Sequence, residues 1–442
     1  MSRTFASLGY LNYRLWFAGA LVSNVGTWMQ RVAQDWLVLT VLSEDSGVAV
    51  GTVTALQFLP FLLLGPFAGV LVDRVDQRKL LIATQVVAGS LGVALGAIVL
   101  AGHAELWHVY LFAFGLGVVS AVDVPARQTF VAALVPAEGL PNAVGLNSAS
   151  FNAARLIGPA VAGLTVAWIG IGWVFIVNGL TFGATVLALL AMRRAELVDV
   201  ERAPREKGQV RQGLRYVRRR PDIIMVMIVV SVVAALGLNF QMTSALMARI
   251  EFGRGPEDYG IMGSVLAIGS LGGALLAARR ERPRLRLVLG AAMLFGVSSA
   301  LMASMPTYAL YMAASVAVGF SQLTMLTSAN AYVQTTTVPF MRGRVMALYS
   351  MLLMGSTPIG APVIGWVGEH VGPRWSVGVG SIASVAVAIA ATAWAVRYWN
   401  LEVTYHRHRP LLEFTYPNRV NARDDAVLRL RAQQIEDSSA QP

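Results

Sequence analysis

The chain of 442 residues contains no cysteine, which excludes disulfides, thiolate metal sites and thiol catalysis. Charge is scarce: 13% of residues are Asp, Glu, Lys or Arg, against 56% hydrophobic, and the mean hydropathy is +0.59. Such a balance excludes an ordinary soluble globule and a disordered chain, and leaves a polytopic membrane protein. Walker-type Gly-rich phosphate loops are missing, so ATP is not the expected source of drive. No hydrolase, kinase or metal motif stands out, so neither catalysis nor a cofactor is expected. The histidines, His103, His108, His370, His406 and His408, fall at the ends of apolar runs, in loops or in the tail. His103 and His108 flank Glu105, but two His and one Glu in a short loop read as solvated rather than zinc-bound. No cleavable signal peptide is expected, because Met1 to Arg14 lead into an apolar run too long for a signal core.

What is present is a series of apolar runs. A helix needs roughly 20 apolar residues to cross the hydrocarbon core, and helices satisfy their own backbone there. Twelve spans are predicted, at 15–42, 48–72, 80–101, 107–125, 142–167, 172–192, 222–247, 258–278, 287–304, 308–332, 344–367 and 374–396. An even number of spans puts both termini on one side. That side collects 30 of the 35 Lys and Arg residues, so it is expected to be the cytoplasmic side of a bacterial inner membrane. The net charge of +11 is accounted for in this way, without nucleic acid as a partner.

The longest internal polar stretch, 193–221, divides the chain into six plus six spans. Val210, Leu214 and Val217 there are expected to share one face of an amphipathic helix lying on the anionic leaflet. The expected domains are therefore 1–192, a cytoplasmic linker 193–221, 222–396, and a polar tail 397–442 with a short helix near 424–435. The fold class is an all-α membrane protein of two six-helix, pseudo-symmetric bundles. An internal echo supports the pseudo-symmetry. Gly158, Val161, Gly163, Gly170 and Trp173 recur as Gly360, Val363, Gly365, Gly372 and Trp375, at a constant offset of 202 residues. Equivalent segments in the same order imply a parallel repeat, with a central site between the halves.

Between spans two and three lies a dense charged knot, Gly69-Val70-Leu71-Val72-Asp73-Arg74-Val75-Asp76-Gln77-Arg78-Lys79. It resembles the signature loop of the major facilitator superfamily through Gly69, Asp73, Arg74, Arg78 and Lys79, with Asp76 where glycine is usual. Further runs narrow the resemblance: Gly26-Thr27-Trp28-Met29-Gln30-Arg31-Val32-Ala33, Asp123-x-Pro125-Ala126-Arg127-Gln128, Asn147-x4-Asn152-x2-Arg155-x2-Gly158-Pro159, and Arg342-Gly343-Arg344-Val345-Met346-Ala347-Leu348-Tyr349. Together they are similar to the enterobactin-exporter-like branch, also called transmembrane secretion effectors. The resemblance implies a conformational latch in which Asp73 meets the Arg342–Arg344 end of span eleven. Gly158, Pro159 and Gly163 resemble the Gly-Pro-x-x-Gly-Gly antiporter motif of span five, which favours export.

Ionisable groups inside a bilayer are costly and are kept for pairing or function. Arg31 and Asp35 are one turn apart on span one and are placed to pair with each other. Arg155 sits near mid-membrane on span five. By the resemblance these three border a common cavity, where Asp35 exchanges a proton and Arg155 tunes it or holds an anionic group; a static ion pair is the competing reading. The C-terminal half has no acid well inside a span, so proton chemistry is expected in the N-terminal half. Gln30, Gln34, Asn152, Asn239, Gln241, Gln322 and Asn330 are further polar candidates, and Asp123 and Arg127 are expected to form a gate. The expected activity is secondary active export of a small molecule, siderophore-like or a lipophilic drug, by alternating access with proton antiport, from a monomer in the lipid bilayer. Multidrug or macrolide efflux is the alternative within the class. A non-transporting membrane receptor or scaffold is the alternative outside it.

Overall fold

The computed structural model describes residues 3–198, 209–278, 284–399, 402–405 and 412–415. The N-terminal half is six helices: α1 (Leu11–Leu37), α2 (Gly47–Arg74), α3 (Gln77–Leu100), α4 (Leu106–Phe130), α5 (Leu140–Ile169) and α6 (Ile171–Ala191). A linker helix, α7 (Gln209–Arg218), follows. The C-terminal half comprises α8 (Pro221–Leu236), α9 (Phe240–Leu246), α10 (Pro256–Ala278), α11 (Leu285–Ser304), α12 (Tyr308–Thr336), α13 (Pro339–Gly355), α14 (Thr357–His370) and α15 (Pro373–Trp399). Spans seven and eleven are thus each two helices, α8–α9 and α13–α14.

Among the described residues, eleven helical stretches are long and apolar enough to cross a bilayer. The first predicted span is not one of them, because Ser23, Asn24, Gln30, Arg31, Gln34 and Asp35 dilute its apolarity. It is nonetheless a 27-residue helix that packs along α5 and α6. The all-α expectation holds for both bundles. In the tail, strands β1 (Glu402–Tyr405) and β2 (Leu412–Thr415) form an antiparallel pair that was not expected. The helix expected near 424–435 lies outside the described residues.

The breaks have local causes. Span seven stops at Gly237, and the Asn239 amide donates to the Ala235 carbonyl at 2.7 Å, competing with the helical ladder. Span eleven stops at Ser356, where Pro358 follows and lacks the backbone donor a continuous helix needs.

The internal echo is realised in packing. Added Cβ atoms show which backbones approach closely. A Cβ at Gly158 would meet Trp28 Cβ on α1 at 2.5 Å, and one at Gly360 would meet the Ala235 carbonyl on α8 at 1.7 Å. At Gly163 it would meet the Pro256 carbonyl at the start of α10 at 2.5 Å, and at Gly365 the Gly47 carbonyl at the start of α2 at 2.3 Å. Spans one and seven are equivalent in the repeat, as are spans two and eight, so each pair of echoed glycines makes the same contact in both halves. Gly170 and Gly372 both take positive φ, 93° and 121°, in the turns that enter the sixth and twelfth spans.

Gly365 and Gly163 zip the halves together at the end of the bundle opposite the linker, along an α2–α14 seam and an α5–α10 seam. Polar contacts reinforce the first seam. Glu369 accepts from Ser46 Oγ at 2.6 Å and from the Val48 N–H at 2.9 Å. Arg249 donates to Asp45 at 3.0 Å. Toward the linker end the helices diverge. Leu63, Phe67 and Leu71 on α2, Val144 and Phe151 on α5, and Phe340 on α13 are exposed there. A Cβ at Gly145 or Gly343 would find nothing within 4 Å.

The linker helix is bound to the C-terminal half. Gln212 accepts from Arg344, Gly213 rests on Arg344 and Leu348, and Tyr216, Val217 and Arg220 are buried. Its inward face is therefore Gly213, Tyr216 and Val217, at helical spacing, and the buried Arg220 follows at the start of α8. Of the face expected from sequence, Leu214 is exposed, and the Val210 side chain lies outside the described residues. Beneath α7, Arg220 grips Asp222 through two nitrogens at 2.9 and 2.7 Å and also donates to the Tyr216 hydroxyl and the Thr336 carbonyl. Tyr332 completes the carboxylate's shell at 2.7 Å. Burial pulls the Arg220 pKa down, but the Asp222 contact outweighs it and holds the guanidinium above its ordinary range.

Candidate functional site

The centre of the molecule is organised by Trp28 on α1. The Arg31 guanidinium lies 5.0 Å from the Trp28 ring and 5.6 Å from the ring of Phe58 on α2. Arg155 on α5 lies 5.8 Å from the same indole, and Phe151 meets the indole edge-on at 5.9 Å. Arg155 Nη2 donates to Gln322 Oε1 on α12 at 3.5 Å, so the cluster reaches the other half. Arg31 Nε is buried with no hydrogen-bond partner.

The expected Arg31–Asp35 ion pair does not form: among the described residues no carboxylate lies within 4 Å of either central guanidinium. Cation–π contacts take Arg31 instead. Asp35 turns across the interface and accepts from the Tyr259 hydroxyl of α10 at 3.4 Å, both side chains being buried. Trp36 stacks on the Tyr259 ring at 5.7 Å. Tyr259 was missed by the sequence reading. A tyrosine near the start of a span looks like an interfacial anchor, and only the fold brings it to Asp35.

Asp123 and Arg127 pair at 2.5 Å within α4. Asp123 also accepts from Thr84 at 2.6 Å and Gln85 at 2.8 Å on α3, while Arg127 donates to Gln85 Oε1 at 2.7 Å and to Ser23 on α1 at 3.3 Å. This network joins three helices of the N-terminal half. Gln30 likewise holds α1 to α6 by accepting from Asn178. Gln34 is buried, and Gln241 is half-buried at the start of α9. Asn152 donates to the Ser148 carbonyl and Asn330 accepts from Gln334, each within its own helix. The Asn239 Oδ1 is buried without a partner at the break in span seven.

The charged knot divides into parts. Arg78 is buried and donates to the Leu189 and Leu190 carbonyls at 2.7 and 3.2 Å, closing the C-terminal end of α6. Asp76 is the N-cap of α3, accepting from the Lys79 N–H at 3.1 Å, a role the family glycine has no side chain to fill. Arg74 and Arg342 are exposed. The Asp73 side chain and the surroundings of Gly69 lie outside the described residues.

Comparison with known proteins places this architecture. The model of a family described as transmembrane secretion effectors matches residues 2–428. The chain belongs to this family. Among relatives of the family, it is 24% identical over 269 residues to the MFS-type transporter YfiS of Bacillus subtilis, a match covering 60% of the chain and 63% of that protein. It is 22% identical to macrolide efflux protein A of Streptococcus pyogenes, covering 81% and 90%. It is also 22% identical to the staphyloferrin A transporter of Staphylococcus aureus, covering 79% and 87%. A solved bacterial homologue of the lysosomal transporter Spinster, inward-facing and unoccupied, shares the fold with a TM-score of 0.66 at 15% identity, covering 88% of this chain and 96% of that one. The major facilitator fold and a transporter function are thereby shown for this multi-pass membrane protein.

Proposed function

We propose that this protein exports a small molecule across the bacterial inner membrane by alternating access, in exchange for protons. The single observation that carries the reading is the Asp35–Tyr259 contact: a buried acid of one half bonded to the other half, close to the zipped seams. A group so placed changes its surroundings whenever the halves rock, and so is suited to take up and release a proton. The basic bias of the linker end supports placing that end and both termini in the cytoplasm. The monomer is the proposed working unit, since each chain supplies both halves of the site. Relatives that handle macrolides and staphyloferrin A support a siderophore-like or lipophilic drug as substrate.

The test is reconstitution. With an imposed pH gradient and a macrolide or staphyloferrin A as probe, proteoliposomes are expected to show coupled substrate and proton fluxes. Asp35→Asn is expected to remove the pH-driven component while exchange of substrate down its own gradient persists. Unchanged pH-driven transport in that variant would remove the proton role from Asp35. Binding with no flux under any gradient would favour a receptor. For the latch, Asp73→Asn is expected to slow transport with normal membrane insertion, and an unaltered rate counts against it.

A further inference from the structure

We propose that the central site binds an organic anion with an apolar or aromatic body, a conclusion about substrate class that rests on the exporter reading. The charge count around Trp28 drives it. Two guanidiniums, Arg31 and Arg155, converge on one indole, and the nearest acid, Asp35, is engaged with Tyr259 rather than in an ion pair with either. Elsewhere in the described residues, buried arginines near the ends of spans have acid partners: Arg127 pairs with Asp123, and Arg220 with Asp222. The centre is left with one positive charge in excess at a depth where an uncompensated charge is costly.

The hydrogen-bonding inventory leads to the same place. Among the described residues Arg155 makes one hydrogen bond, a long one to Gln322, and Arg31 Nε makes none although it is buried. A guanidinium offers five donors in a planar fork suited to a carboxylate, sulfonate or phosphate. Both residues stand where the halves meet, with Arg155 reaching Gln322 across the interface. Trp28, Phe58 and Phe151 lie against the two guanidiniums and their indole, which favours an aromatic or lipophilic body over a bare inorganic ion. Electrostatics also disfavours a lipophilic cation at this spot, because among the described residues no carboxylate pairs with either guanidinium and Asp35 is bonded to Tyr259.

Two probes with one ring system and opposite charge test this: 2-naphthoate and 2-naphthylmethylammonium, titrated calorimetrically into the purified full chain in lipid nanodiscs. The expected result is naphthoate binding at least about tenfold tighter than the ammonium, the worth of one charge-assisted hydrogen bond. Arg155→Gln and Arg31→Gln are each expected to weaken naphthoate by about tenfold or more on the same grounds. Arg155→Lys is expected to keep the anion preference while losing part of the affinity. Equal or tighter binding of the ammonium, no naphthoate binding, or unchanged naphthoate affinity in both Gln variants overturns the proposal. The charge preference of the unaltered protein decides the question even if a variant does not fold. Calorimetry reads occupancy without flux, so the two readings fail separately. Naphthoate binding without proton-coupled flux leaves the anion site and removes the exporter. Proton-coupled flux of the ammonium with no naphthoate binding leaves the exporter and removes the anion site.

Discussion

Asp222→Ala is expected to destabilise the protein by about 3–5 kcal/mol, the usual consequence of stranding one member of a buried ion pair. Arg220 is 3% exposed and commits its guanidinium to Asp222, Tyr216 and the Thr336 carbonyl. Removing the carboxylate leaves that charge without its counterion and takes away the acceptor of the Tyr332 hydroxyl's 2.7 Å hydrogen bond. The loss is read from denaturant midpoints of the purified protein. Replacing both partners, as Arg220→Met with Asp222→Leu, is expected to recover most of it, since matched apolar groups carry no desolvation cost. A loss under about 1 kcal/mol for Asp222→Ala would mean that the pair is solvated and behaves as a surface pair.

The second large effect concerns the seams. Gly365→Leu and Gly163→Leu are each expected to open the end of the bundle opposite the linker. A Cβ at either position would stand 2.3–2.5 Å from a carbonyl oxygen of the facing helix, and backbone cannot give way as a side-chain tip can. Overpacking of this kind costs about 1–3 kcal/mol, which shifts the closed-to-open ratio by about fivefold to about 150-fold, and by about thirtyfold at the middle of that range. The absence of cysteine makes the measurement clean. Thr54→Cys places a lone thiol on α2, half-buried, about one turn past Gly51 on the side away from the zipped end. Its labelling by an impermeant maleimide from the Asp45 side is expected to be slow in the parent and at least about tenfold faster with either leucine. Equal rates would show that another element forms the barrier.

Much of the fold was legible because lipid imposes a simple code. Apolar length marked the spans. The repeat of Gly158 and Gly163 as Gly360 and Gly365 pointed to pseudo-symmetry, but not to the close helix contacts those glycines make. The break at Gly237 was not legible, since a glycine inside an apolar run reads equally well as close packing. The site was only half legible. Arg31, Asp35 and Arg155 stood out as charges in the wrong solvent, but their partners did not. Helical spacing suggested Arg31 with Asp35, whereas aromatic faces and a tyrosine from 224 residues away took them instead. The same limit applies to Arg78, whose basic character matched a latch but whose burial serves the end of α6. Spacing along one helix reports neighbours in that helix; contacts between helices depend on packing that no local pattern encodes.

The zipped end has an electrical consequence. A membrane at 100 mV does work of about 2.3 kcal/mol on each elementary charge that crosses the whole potential. On the exporter reading, a hydrated gap at the linker end would carry little of that drop, and the remainder would fall across the short barrier formed by the α2–α14 and α5–α10 seams. Asp35 sits beside that barrier, bonded to a helix on its far wall. Under the proposed proton exchange, the membrane voltage would be focused onto the few ångströms next to the acid, and a proton moving there would traverse much of the potential in one short step.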